Sequence, residues 1–513
     1  MTRAIVISAA LFLLTLGVFS QVRTFDFVNY DDNIFITQNP YVQEGLTKKG
    51  VLWAFTTPYT GTAVMPLAWL SHMLDITLYG LSPGGHHITN LLIHALNTVL
   101  LFMVLNLMTG APWVSAFTAA LLSVHPLQAE PVAWISERKG LLCAFFWLST
   151  MLSYVYYARR PSVLRYLPVI CCFIAALLAK PIAITLPVAL LLVDYWPLNR
   201  KIDKNILIEK VLLFLLSGAI GLYTYQVQRA WNVDAFFNVI PLTQRVANVF
   251  ISYVMYLYHT LVPLSLSPIY VFQDSFSALQ GKLSFIAVIC ISAASIVLIR
   301  RMPYFFTGWF WYLVVLSPVA GLAQVGYQSM ADRYMYLPLI GLSIAVATGA
   351  SEGLKHLAAR KIILSVGAAI ILITSAYLTV RQTAFWRDDI SLFNRAASVT
   401  KNNFIAYFNL GSAYLSLADY DQALRCYNKA IEIKPSYERA YVNAGFVLLN
   451  KNMPREASQY FARASELDPA DPAAYFGLGQ ALIAVGSNAQ AVEYFRKALA
   501  VDPNYAPAKE FVR

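Results

Sequence analysis

The stretch FIAYFNLGSAYLSLADYDQALRCYNKAIEIKPSY, residues 404–437, decides how the C-terminal quarter folds. Tyr407, Leu410, Gly411, Tyr414, Ala423, Tyr427, Ala430 and Pro435 recur 34 residues later as Tyr441, Ala444, Gly445, Leu448, Ala457, Phe461, Ala464 and Pro469. They recur again as Tyr475, Leu478, Gly479, Leu482, Ala491, Phe495, Ala498 and Pro503. Small residues at fixed offsets let two helices approach closely, and a proline closes each unit. A half-unit precedes the first copy, with Phe393 and Ala396 in second-helix positions, and NYAPAKEFVR begins a capping helix. Three stacked units with caps are about the minimum for stability.

This is the tetratricopeptide signature. It predicts a short α-solenoid over 404–513, a connector with a half repeat over 381–403, and a concave face offered to a peptide. A purely scaffolding use of that face stands beside it.

Upstream, the composition changes. The 513-residue chain is 58% hydrophobic and only 13% charged, with mean hydropathy +0.56; soluble domains are about a quarter charged. Apolar runs near 4–20, 89–108, 113–129, 140–158, 163–179, 182–198, 207–224, 282–299, 303–320, 334–350 and 362–380 approach the ~20 residues a bilayer span needs. The expected fold is an all-α polytopic bundle of about eleven spans over 1–380, followed by the solenoid. The first run could also be a cleaved signal peptide ending near Ser20; ten further apolar runs favour a retained helix. The aromatic, amphiphilic segment 243–270 either spans or lies in the interface.

Net charge +11 fits basic cytoplasmic loops. No basic stripe with interleaved aromatics supports nucleic-acid binding. Five cysteines without a pairing pattern imply neither a disulfide framework nor a metal site. Arg159-Arg160, the Arg200/Lys201/Lys204 group, Arg300-Arg301 and Lys355/Arg360/Lys361 all fall inside if 243–270 does not cross. Eleven spans then put the first loop, 21–88, and the repeats together on the non-cytoplasmic side, in the manner of a bacterial inner-membrane protein with a periplasmic tail.

That outer side collects the polar residues. Asp31 and Asp32 sit in YDDN: one carboxylate can take a proton from an attacking hydroxyl, worth about 10²–10⁴ in rate, or the pair caps a turn. His86, Asn90, His94 and Asn97 share one helix face; the face binds a head group, a metal or, most commonly, another helix. No acid joins that spacing, so a divalent metal has little support in the sequence, and no certain cofactor is implied. SVHPLQAEPVAWISERKGLL places His125, Glu130, Glu137, Arg138 and Lys139 in one short outer loop. Cations there run against the positive-inside bias and point to an anion such as a lipid phosphate, or to pairing with Glu130 or Glu137. Asp332 and Arg333 stand at another outer helix entrance; arginine suits bidentate phosphate binding, and a salt bridge to Asp332 is the alternative.

YDDNIFITQNPYV, PLAWLSHMLDITLYGLSPGGHHITNLLIHALNTVLLFMVL, LLSVHPLQAEPVAWISERKGLL, MADRYMYLPLIGLSI and FWRDDISLFNRAAS, in this order before the repeats, resemble a known family. The chain is similar to bacterial membrane tetratricopeptide-repeat proteins related to the eukaryotic transmembrane-and-TPR O-mannosyltransferases. The resemblance implies a GT-C-type glycosyltransferase that uses a polyprenyl-phosphate sugar donor. The acceptor it implies is a hydroxyl, in those relatives a protein Ser or Thr, reached through the repeat groove. By that likeness Asp31, or its neighbour Asp32, is the general base. Arg138, Lys139, Arg333, His86 and His87 receive the donor phosphate, and Asn90, His125, Glu130, Glu137 and Asp332 support them. Two positions depart from the family pattern: Met65 precedes Pro66-Leu67, where Arg or His is frequent, and Gly140 follows Lys139, where an acid is common. A non-catalytic membrane scaffold for envelope assembly is the alternative function. An inverted-repeat transporter fits less well, because the spans show no internal repeat.

Overall fold

The structure is a computed structural model, and it describes residues 2–59, 64–230, 240–272, 278–322 and 327–512. Residues 60–63 of the first loop lie outside them. The chain divides into two compact units: Met1–Pro268 with Phe272–Asp388, and Ile269–Val271 with Asp389–Arg513.

The first unit is helical. Among the described residues, six helices are long and apolar enough to cross a bilayer: Thr2–Thr24, Pro83–Thr109, Ile135–Arg159, Lys204–Ala230, Ala278–Val297 and Arg360–Trp386. The other five apolar runs form shorter helices, Pro112–Val124, Val163–Ala179, Leu186–Tyr195, Pro303–Leu316 and Pro338–Gly353, of 10–17 residues. Proline is the reason. It sits at the N-terminal edge of four of them, and Pro126 and Pro181 follow two of them closely. Proline removes a backbone donor and biases the residue before it away from the helical region. At 1.5 Å per residue a 16-residue helix rises about 24 Å, short of a ~30 Å hydrocarbon core. Segment 243–270 supplies one helix, Leu242–Leu261, whose Asn248, Ser252, Tyr256 and His259 are buried while Leu242, Val246, Tyr258 and Leu261 stay exposed.

Close helix packing in this unit uses glycine. An added Cβ on Gly341 would meet the Gly308 carbonyl oxygen at 2.6 Å, so the Pro303–Leu316 and Pro338–Gly353 helices touch backbone to backbone.

The second unit stacks helix pairs: Phe404–Ser416 with Tyr420–Ile433, Glu438–Asn450 with Pro454–Leu467, and Pro472–Ala484 with Asn488–Val501. Asp389–Val399 precedes them. The repeat glycine faces the repeat aromatic; a Cβ on Gly445 would meet the Phe461 ring at 2.7 Å. Each first helix ends on a residue in the left-handed region, Ala418 (φ 57°), Asn452 (φ 57°) and Gly486 (φ 83°), again 34 apart. At the C-terminus Phe511 stacks on Phe495 with centroids 4.6 Å apart, and Tyr505 packs edge-on against Phe476. These rings cover the last repeat.

Candidate functional site

The first loop turns at Asn29–Asp32 and enters one wide helical turn, Asn33–Thr37. The two aspartates of that turn have different surroundings. Asp32 is 1% exposed. Its Oδ2 accepts from Val28 N at 3.1 Å, and its Oδ1 accepts from Ser136 N at 3.0 Å and from the Ser136 hydroxyl. The carboxylate therefore stitches the first loop to the Ile135–Glu137 turn. Burial pushes it up to about 6 against the pull of those three hydrogen bonds.

Asp31 is half-buried, and its carboxylate has no hydrogen-bond or ion-pair partner among the described residues. Burial raises its pKa; Lys139 and then Arg333 oppose that rise, and Glu137 adds to it. Asp31 is thus a carboxylate of raised basicity in the field of two cations, with its lone pairs unspent.

Lys139 makes no ion pair among the described residues. Its ammonium lies over two rings, 4.4 Å from the Phe35 centroid and 5.5 Å from that of Trp134. Arg333 stands over the same indole at 5.1 Å and over Tyr334 at 5.0 Å. Its backbone N–H and Nη1 donate to the two oxygens of Glu130 at 2.9 and 2.6 Å, and Nη2 donates to Gln328 at 2.9 Å. Burial alone would lower the Arg333 pKa, but the neighbouring carboxylates, Glu130 first and also Glu137, help outweigh it and keep the guanidinium charged. Tyr30 stacks obliquely on Trp134, centroids 4.7 Å apart. Trp134 thus gathers Lys139, Arg333 and Tyr30 on its ring, and Asp31 follows Tyr30 directly in the chain.

Glu137 completes the cluster. It is ion-paired to Lys180, and its second oxygen lies 4.0 Å from Arg333 Nε. The side chain folds over Gly140, where a Cβ would collide with Glu137 Oε1. The departure at Gly140 thus gives this carboxylate its room. Met65, the other departure, is buried in an apolar cluster with Trp53, Trp69 and Met73.

A second layer lies inside. Arg138 is 0% exposed, and every direction it reaches is occupied by protein. It pairs with Asp75, and its Nε donates to Asn90 Oδ1 at 2.7 Å, Nη2 to the His86 carbonyl at 2.7 Å and Nη1 to the Ser71 carbonyl at 3.3 Å. Asn90 in turn donates to the Val132 and Trp134 carbonyls at 3.3 and 3.0 Å. His86 Nε2 bonds the Gly80 carbonyl at 3.0 Å, and His87 Nε2 the Asp26 carbonyl at 3.2 Å. Further along the same helix, His94 meets Tyr336 Oη at 2.7 Å, and Asn97 donates to the Leu141 carbonyl at 3.0 Å. This stripe joins helices and loops of the interior. The structure therefore spends Arg138, His86 and His87 on interior contacts, while Lys139 and Arg333 are the cations whose charge reaches Asp31.

The remaining sequence candidates lie around these layers. His125 Nε2 bonds the Thr260 carbonyl at 3.0 Å, and its Nδ1 accepts from Leu127 N. Asp332 is buried 3.6 Å from His259 Nδ1, and its neighbour Arg333 pairs with Glu130 instead. Among the described residues no group of three His, Cys, Asp or Glu side chains is placed to hold a metal ion.

Three participants carried too little sequence signal. Asp75 is one acid inside the apolar run 66–79, Trp134 is one of ten tryptophans, and Lys180 is a lone lysine ending an apolar run.

The fold and this polar cluster define a class: an all-α membrane protein with a group of charged and aromatic residues on its first loop and neighbouring turns, and a tetratricopeptide tail. Residues 404–437 and 448–512 match models of the tetratricopeptide repeat. Over most of its length the chain is similar to protein O-mannosyl-transferases. It is 26% identical over 469 residues to Protein O-mannosyl-transferase TMTC4 of Homo sapiens, covering 78% of this chain and 63% of that one. It is 23% identical over 412 residues to Protein O-mannosyl-transferase F38B6.6 of Caenorhabditis elegans, covering 75% and 56%. Against Protein O-mannosyl-transferase TMTC3 of Mus musculus it is 24% identical over 409 residues, covering 70% and 43%. The chain thus spans 43–63% of the length of these curated relatives. Among solved structures, the TPR domain of Arabidopsis OM64 is 23% identical, with a TM-score of 0.21 covering 21% of this chain and 90% of that domain.

Proposed function

We propose that this protein is a glycosyltransferase of the GT-C type that moves one sugar, mannose by likeness to its relatives, from a polyprenyl phosphate to a hydroxyl. Asp31 takes the proton as the acceptor oxygen bonds to the anomeric carbon. The bond from that carbon to the phosphate oxygen breaks with its electron pair, and the phosphate leaves toward Lys139 and Arg333. Preorganised cations beside a leaving phosphate act where charge develops, which is often the largest single contribution to a rate. The observation that carries the reading is the asymmetry of the aspartate pair. Asp32 is fully engaged by the fold, while the Asp31 carboxylate is partly exposed, has no hydrogen-bond or ion-pair partner among the described residues, and sits in the field of Lys139 and Arg333.

The acceptor follows from the tail: a tetratricopeptide groove suits an extended peptide, and a Ser or Thr of that peptide supplies the hydroxyl. The reaction then belongs on the non-cytoplasmic face, with the first loop and the repeats on one side of a bacterial inner membrane.

The test uses the full chain in nanodiscs with polyprenyl-phosphate-linked [³H]mannose and a Ser/Thr-rich peptide. Label moves to the peptide from the lipid-linked sugar and not from a nucleotide sugar. No transfer from any lipid-linked sugar, with a protein partner retained by the repeats, overturns the enzymatic reading in favour of a scaffold.

A further inference from the structure

The first loop builds a helical hairpin whose two faces differ. In the Lys48–Thr56 helix, Gly50, Trp53 and Ala54 are buried, and Val51, Leu52 and Phe55 lie exposed on the opposite face. In the Pro66–Tyr79 helix, Trp69, His72 and Met73 are buried, and Leu74, Leu78 and Tyr79 are exposed. Trp53, Trp69 and Met73 share one core cluster. Leu46 N donates to Thr77 Oγ1 at 3.1 Å and ties the turn before the first helix to the second. The hairpin is therefore a fixed body that spends its tryptophans inward and turns leucines outward. Leu52 is 66% exposed and Leu78 60%. Single exposed apolar residues need no explanation, but rows of them at helical spacing do.

Two features of the chain say what covers this face. Phe55 and Val64 line one apolar space with Ile220, Tyr223 and Thr224 of the Lys204–Ala230 helix, which is long and apolar enough to cross a bilayer. Those three residues stand six to ten positions before Ala230, about 9–15 Å inside that end of the helix at 1.5 Å per residue. The hairpin thus reaches the apolar length of a spanning helix. The exposed row of Leu74, Leu78 and Leu81 also runs on into Ile88, Leu92 and Leu96, exposed along Pro83–Thr109, a second helix of spanning length. The charge suits the same setting. Lys48 opens its helix one turn before Leu52 and makes no ion pair among the described residues. Lys49 pairs with Glu44 at 3.7 Å, but both side chains are exposed, and such pairs are weak. An apolar helix face with lysines at its polar end, their stems lying along that face, is the pattern of a helix seated in a membrane interface.

We infer that this hairpin is an interfacial anchor: its leucine face lies in the edge of the bilayer on the side of the first loop, and Lys48 and Lys49 take the phosphates of anionic lipid headgroups. The inference stands apart from sugar transfer and from any lipid-linked donor. The anchor also has a neighbour to hold. Phe35 stacks on Trp69 with centroids 4.8 Å apart, and Lys139 lies over Phe35, so a hairpin fixed in the interface steadies the aromatic seat of that cation. A partner protein or a second copy of the chain would cover the same leucines without accounting for Phe55 meeting Ile220 along a spanning helix.

The test introduces the photocrosslinking residue p-benzoyl-phenylalanine in place of Leu52, Phe55 or Leu78 in the full chain. Cell membranes holding each variant are irradiated, and the adducts are identified by mass spectrometry. Phospholipid is expected at all three positions. Protein adducts in place of lipid overturn the inference in favour of a partner, and crosslinked dimers overturn it in favour of a second copy. The headgroup claim is read in nanodiscs of phosphatidylcholine and phosphatidylglycerol at roughly 9:1, where adducts at position 52 should be enriched at least about threefold in the anionic lipid over its bulk share. Lys48→Gln/Lys49→Gln should return the adducts to the bulk ratio while lipid labelling persists, and Lys48→Arg/Lys49→Arg should keep the enrichment. Folding of each variant is checked by size exclusion. Adducts in the bulk ratio with both lysines present overturn the headgroup assignment, and a folded chain with no lipid adduct at any of the three positions overturns the anchor.

Discussion

Arg138→Met separates a structural arginine from a phosphate ligand. In the folded protein the guanidinium is fully buried against Asp75, Asn90 and the carbonyls of His86 and Ser71. Methionine fills similar volume and satisfies none of them. It leaves the Asp75 carboxylate, 2% exposed, with the Thr89 hydroxyl at 2.9 Å and a His86 nitrogen at 3.5 Å. Breaking a buried pair from one side costs about 3–5 kcal/mol, because an uncompensated charge stays inside. The second arm is the double variant Arg138→Met/Asp75→Leu. Replacing both members of a buried pair by apolar residues is often neutral or better, so the double variant is expected to recover most of the loss. The coupling between the two sites then amounts to several kcal/mol, well beyond the ~0.5 kcal/mol within which independent sites add. Reversible unfolding of the full chain in mixed micelles, titrated with SDS and followed by tryptophan fluorescence, reads all three variants. A single variant within about 0.5 kcal/mol of wild type, accompanied by weakened capture of a polyprenyl phosphate, would show that Arg138 serves the ligand and refute this placement.

Asp32→Asn puts an amide with one acceptor oxygen where three donors converge, and is expected to cost about 1–3 kcal/mol in the same titration; an unchanged midpoint counts against the stitch to Ser136. The native carboxyl binds its proton more tightly than the ordinary 3.8, with a pKa of about 6. Its contribution is therefore fully present below about pH 4 and lost as pH rises through 6, and Asp32→Asn should flatten that part of the stability–pH curve. Sugar transfer needs Asp31 ionised, so its rate should fall on acidification through a pKa above the usual aspartate value, and a pH profile still declining in the same range in Asp31→Asn would assign that limb elsewhere. Ala418 holds a left-handed conformation that Gly486 holds without strain two repeats on; Ala418→Gly should raise the stability of the second unit by about 1 kcal/mol, and a lower unfolding midpoint would contradict this.

The repeats were legible because each feature of the period has one physical cause: a small residue under an aromatic ring, and a proline closing each unit. The spans were legible as apolar runs but not as lengths, since hydropathy does not register where a proline starts a helix late or stops it early. At the site, the sequence placed Arg138 and Lys139 side by side as outward cations. Adjacent residues on a helix point about 100° apart, and only tertiary context says which turns inward. That context is Asp75, a single acid inside an apolar run, which draws Arg138 into the interior and leaves Lys139 over Phe35 and Trp134. In the stripe of His86, Asn90, His94 and Asn97, His86 bonds the nearby Gly80 carbonyl, but Asn90, His94 and Asn97 reach Val132, Trp134, Tyr336 and Leu141, partners far along the chain that no local pattern reveals. Lys180 reads in sequence as a lysine reaching out from the end of a span; its contact with Glu137 depends on the Val163–Ala179 and Arg138–Arg159 helices packing together.

The most direct measurement is the initial rate of transfer from lipid-linked mannose to peptide by Asp31→Asn in nanodiscs, with folding verified by SDS titration. If Asp31 is the base, the rate falls by about 10²–10⁴ while the unfolding midpoint holds. A rate within twofold of wild type in a folded Asp31→Asn protein would contradict it.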